Sequence, residues 1–161
     1  MATALGFGRS KGVQSIANST IETQYQYTKE WLADDRILCY RFMDLTPATL
    51  DHWAADLTEA FLNWPEVRPW RLMLDVRLGG GLVNAYALRH ARKIAHMRPE
   101  LPGRLAILVG SKLASDIISM AIRTTNNIYR QRRIFSNEAA AVNWLIEPSN
   151  LPGANNVSLQ K

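Results

Sequence analysis

The residues of this chain with the most chemical promise sit in one stretch, "RLMLDVRLGGGLVNAYALRHARK". An apolar run ends in Asp75 and Arg77, passes through Gly79, Gly80 and Gly81, and reaches Asn84 at the start of an amphipathic segment. That pattern predicts a strand, a pliant turn and a helix start. A helix start carries unpaired N–H groups and about half a positive charge, and glycines let a ligand approach the backbone. Arg77 would add charge, so Asp75, Arg77, Gly79, Gly80, Gly81 and Asn84 form the candidate binding site for an anionic group. Asp75 has a second reading, as a strand-end carboxylate that pairs with Arg77 or Arg71 or caps a backbone N–H. The turn is neither a dinucleotide fingerprint nor a P-loop. Asn84 stands at the third glycine position of the first, and the lysine of the second is missing.

Other reactive residues are scattered. His90 and His96 are six apart and do not share a helical face, and His52 lies apart from both. Cys39, the only cysteine, lies inside the apolar run "RILCYRFM" and reads as a small buried hydrophobe. A lone cysteine forms no intramolecular disulfide and builds no sulfur-rich metal site, which fits a cytoplasmic setting. No nucleophile elbow, Cys-His pairing or zinc signature is present, so no enzyme activity, metal or cofactor is expected.

The elements that would position these residues follow from periodicity. "TQYQYTKEW" alternates as a strand, Asp34-Asp35 supply a turn, and "RILCYRFMD" is a second strand, together a hairpin. Thr46 caps a helix that Pro47 begins, with Leu50, Trp53, Leu57, Phe61 and Trp64 as its apolar stripe. "WRLMLDVR" is a third strand, and 84–97 a helix with Ala87, Leu88, Ala91, Ile94 and Ala95 turned inward. "RLAILVG" is a central strand, "LASDIISMAIRTTNNI" a third helix, "QRRIF" a fifth strand and "SNEAAAVNWLI" a last helix. Arg130, Arg132 and Arg133 read as charges that protect an outer strand from stray pairing. Arg89, Arg92, Lys93 and His96 make a basic stripe on the second helix.

Strands alternating with helices predict one α/β domain with a five-stranded, mostly parallel sheet, an antiparallel N-terminal edge hairpin and four helices. The domain is expected over 20–147, between a loosely ordered tail at 1–19 and a polar tail at 148–161. No apolar run approaches the ~20 residues that span a bilayer. The formal charge of +5 and pI near 9.7 favour anionic partners. Nucleic acid is not expected, because no stacking motif accompanies the charge.

Two motifs carry a resemblance. "LMLDVR" at 72–77 and "FSNEAAAVNWL" at 135–145 resemble the SpoIIAA-like branch of the STAS domain, the fold of bacterial anti-sigma-factor antagonists. The resemblance implies a regulatory, non-enzymatic interaction module acting through the turn after the third strand. In those antagonists the turn holds a phosphorylatable serine. Here there is no serine or threonine from Val76 to Asn84, so that switch is missing. The same branch resembles the CRAL-TRIO lipid-binding fold, which implies as the alternative a carrier or sensor of a small apolar ligand. Tyr25, Tyr27, Trp53 and Trp64 would line its pocket. A protein partner or a small anionic or apolar ligand is therefore expected, and a homodimer is compatible with either reading.

Overall fold

The computed structural model describes residues 25–79, 84–123 and 130–148. Nearly all of both predicted tails lies outside these residues, as do Gly80 and Gly81 of the candidate turn. The elements run β1 (Tyr27–Leu32), β2 (Ile37–Phe42), α1 (Pro47–Leu62), β3 (Trp70–Asp75) and α2 (Ala85–Ala95). They continue as β4 (Gly103–Leu108), α3 (Lys112–Arg123), β5 (Arg130–Phe135) and α4 (Glu138–Ile146). The five strands lie in sequence order across one sheet, with β1 antiparallel to β2 and the rest parallel. The result is a small α/β domain with a mixed five-stranded sheet and four helices, compatible with a STAS-like fold.

Sequential parallel strands have a geometric consequence. Crossovers share one hand, so helices joining neighbouring strands in one direction all fall on the same face. Leu38, Leu72, Leu74 and Ile107 point to that face and pack against α1, α2 and α3. The alternate residues Ile37, Cys39, Met73, Ala106 and Leu108 point to the other face, which α4 covers with Ala141, Trp144 and Leu145.

Local chemistry fixes the ends of these elements. Thr46 caps α1 and Pro47 takes its first position, as the sequence predicts. The β1–β2 turn places Ala33, Asp34 and Asp35 at φ 55°, 56° and 57°, closed by Arg36 N donating to Leu32 O at 3.1 Å. At Gly103 a Cβ would stand 2.4 Å from the carbonyl oxygen of Trp70, so only glycine allows β4 to start against β3.

Two expectations change. The inward face of α2 is only partly inward: Ile94 is buried, Ala87, Leu88 and Ala95 are half-buried, and Ala91 is exposed. Alanines are too short to close the distance to the sheet, and a hollow remains. Arg130 is no edge charge, being only 6% exposed. It donates to the carbonyls of Ala95 (3.0 Å), Met97 (2.6 Å), Leu101 (3.2 Å) and Arg98, and its guanidinium lies over the rings of Phe61 and Trp70. It thereby satisfies the carbonyl end of α2 and the loop after it.

Candidate functional site

Asp75 closes β3 on the face that α4 covers, and it is 5% exposed. Its Oδ1 accepts from Arg77 N (3.1 Å) and Arg77 Nε (2.9 Å), and its Oδ2 from Arg77 Nη2 (2.7 Å) and Arg41 Nη1 (3.0 Å). Glu138, in the first turn of α4, accepts from Arg41 Nη2 at 2.6 Å and from Arg77 Nη2 at 3.0 Å. Glu30 of β1 accepts from Arg41 Nε. Three carboxylates and two guanidinium groups therefore form one network across β1, β2, β3 and α4.

That network engages two of the candidates, Asp75 and Arg77. Burial raises the Asp75 carboxyl, but the hydrogen bonds and charge of Arg77 and the bond from Arg41 outweigh it and leave it below the usual carboxylate range. Arg41 above all, with Arg77, lowers Glu138 in the same direction. A carboxylate held ionised in this way is poorly suited to proton transfer near neutral pH. The charge of Arg77, expected at the start of α2, is engaged by Asp75 and Glu138 instead.

The remaining described candidates are also occupied. Gly79 is buried, its N donating to Val76 O at 3.3 Å, and a Cβ there would meet Leu45 Cγ at 3.2 Å. Asn84 caps α2, its side chain accepting from Ala87 N at 2.8 Å and donating to Leu45 O at 3.4 Å. The structure thus brings Asp75 and Arg77 together, sets Gly79 and Asn84 against Leu45, and describes neither Gly80 nor Gly81. The partners Arg41, Glu30 and Glu138 escape sequence reasoning because they come from separate elements, 11 to 97 residues from the groups they bind. A usable signal existed: Arg41 is the one charge within the otherwise apolar β2.

The hollow beneath α2 is a second site. Three overlapping depressions, open to solvent and enclosing about 40, 80 and 90 Å³, share the exposed Ala91 in their walls. Leu74 and Trp53 form the floor of two of them, Ile107 and Ile118 connect toward α3, and Arg130 and Arg132 stand at the β5 end. Trp53 and Trp70, 3% and 4% exposed, line the same hollow, and their indole Nε1 atoms have no hydrogen-bond partner among the described residues. Of the aromatic residues expected to line a pocket, Trp53 does so. Tyr25 stacks on His52, Tyr27 donates or accepts with His52 at 2.7 Å, and Trp64 stacks on Trp31. Trp70 was the residue missed, since a tryptophan opening a strand reads as ordinary core.

The basic stripe of α2 is exposed, with Arg92 at the edge of the depression toward α3 and Arg89 lying over the Tyr86 ring. The link between α1 and α2 is made instead by Asp51, which accepts from Tyr86 at 2.7 Å and meets His90 Nε2 at 3.0 Å. Among the described residues no cluster of three or more His, Cys, Asp or Glu could hold a metal ion. No helix among them is long and apolar enough to cross a membrane. No family model, curated protein or solved structure matches the chain.

Proposed function

We propose that this chain is a STAS-like regulatory module without catalytic chemistry, which senses or carries a small apolar molecule held in the hollow beneath α2. The observation that carries this reading is the pair of buried indole N–H groups at Trp53 and Trp70, without a partner among the described residues, in a largely apolar wall that Arg130 and Arg132 close at one end. A buried donor left unpaired costs about 1–3 kcal/mol. A ligand with an apolar body and one or two hydrogen-bond acceptors would recover that cost and cover the half-buried face of α2. The route to a response is short. Leu45 and Val76 line the hollow, and Leu45 is also the residue against which Gly79 packs. A ligand there would press on the base of the turn between β3 and α2.

Native mass spectrometry of the freshly purified full chain tests this. A retained small molecule is expected, released on denaturation, together with quenching or shift of tryptophan fluorescence on re-addition. A clean apo mass, combined with no fluorescence response to medium-chain fatty acids or alcohols, would remove the reading.

A second reading, direct protein contact at the turn, is favoured by one observation. Leu78, next to Gly79, is 75% exposed. With Arg77 turned into the ion network, such a contact would rest on this apolar side chain and not on charge.

A further inference from the structure

On the α4 face, at the amino-terminal end of the parallel strands, arginines gather with few acids beside them. Arg71 of β3 stands directly opposite Arg104 of β4 in the parallel register, at a strand spacing of about 4.8 Å. Arg36, at the end of the β1–β2 turn, and Arg68, in the loop before β3, are near enough for their charges to act on Arg71. Burial first, and then the charges of Arg36, Arg104 and Arg68, hold the Arg71 guanidinium below its ordinary value.

Compensation is scarce. Among the described residues, neither Arg71 nor Arg68 makes a side-chain hydrogen bond or ion pair. Arg36 meets one carboxylate, that of the fully exposed Asp34, at 3.9 Å, and its Nε is held by Ala33 O at 2.7 Å. Arg104, 7% exposed, is fixed by neutral acceptors: Trp144 O (2.6 Å), Glu147 O (3.0 Å) and Gln131 Oε1 (3.1 Å). Edge protection does not explain the pair, because β3 and β4 are interior strands. Like charges in adjacent register repel one another and lower stability. An arrangement that keeps them while anchoring one rigidly is suited to a multivalent anion.

We propose that Arg36, Arg68, Arg71 and Arg104 form a binding site for a phosphate group, separate from the hollow on the opposite face. Guanidinium forks match the oxygens of a phosphate in pairs. A phosphate monoester brings close to two negative charges, enough to offset much of the repulsion at Arg71. The same group could be carried by a soluble phosphate or by a lipid head.

The experiment uses the full chain in low-salt buffer with three variants, Arg71→Gln, Arg68→Gln and, on α2, Arg89→Gln. Inorganic phosphate and pyrophosphate are titrated by calorimetry, and sedimentation is followed with vesicles of phosphatidylcholine alone or with phosphatidate. Wild type and Arg89→Gln should bind alike, and Arg71→Gln and Arg68→Gln should lose tenfold or more. Without ligand, Arg71→Gln should melt at or above the wild-type temperature, since a repulsive charge has gone. Binding of the soluble probes identifies a free phosphate site, and binding of phosphatidate vesicles alone identifies a lipid head. No binding of any probe, equal loss in Arg89→Gln, or unchanged binding in both Arg71→Gln and Arg68→Gln would overturn the proposal.

Discussion

At the scale of single residues, burial decides which groups remain available for chemistry. Cys39 has no exposed surface, and burial, only partly opposed by the Arg41 charge, pushes its thiol up to about 12. The thiolate is the reactive form. Native protein should therefore react with a thiol reagent at pH 8 at least about a hundredfold more slowly than protein in denaturant. Fast native labelling, followed by mass, would contradict the packing of α4 over this residue. Glu138 is half-exposed and gives a pH test. Its carboxyl and that of Asp75 both sit below their unfolded values of about 4.3 and 3.9. Stability from the network is therefore complete above those unfolded values and falls as pH drops through the lower folded ones. Glu138→Gln should cost on the order of 1 kcal/mol at pH 7. Its melting temperature should also fall less steeply than wild type between pH 5 and pH 2.5. Parallel pH profiles for the two proteins would show that the network contributes little.

At the scale of elements, glycine and alanine matter through what they leave out. Gly103→Ala would drive a Cβ into the Trp70 carbonyl and Cβ at 2.4 and 2.7 Å. Backbone cannot yield as a side-chain tip does, so the loss should be about 1–3 kcal/mol or more. Chemical denaturation would measure it, and a change below about 0.5 kcal/mol would mean that β3 and β4 separate easily there. The alanines of α2 show where sequence reasoning stopped. Helical spacing set Ala87, Ala91 and Ala95 toward the sheet, and the spacing was right about direction. It could not say how far away the sheet would be, because that distance depends on α1 and α3. The order and type of every element were legible, since β2, β3 and β4 have apolar runs, β1 alternates, β5 ends on Ile134 and Phe135, and each helix has its cap or period. The network around Asp75 was not, because its partners come from three other elements and leave no local pattern.

At the scale of the whole molecule, charge is distributed unevenly. The carboxyl end of the strands on the α4 face carries Glu30, Asp75 and Glu138 balanced by two arginines. The amino end of the same face carries Arg71 and Arg104 with little acid beside them. The formal charge of +5 is therefore concentrated in part, and encounter with anions should be directional and weaken with salt. The apolar hollow opens on the opposite face, so an apolar ligand and a phosphate group would not compete for space.

The one-sided winding of the sheet has a further consequence for how the molecule breathes. Among the described residues, three helices share the cover of one face, and the nine-residue α4 is the helix that covers the other. Partial opening on the first face leaves neighbouring helices in place, whereas release of α4 bares a continuous strip from Ile37 to Leu108 in one event. Release of α4 is thus the single event that bares most core at once, and the Glu138 ion pairs with Arg41 and Arg77 oppose it. It would expose one face of the mixed sheet, with β5 as its outer strand among the described residues.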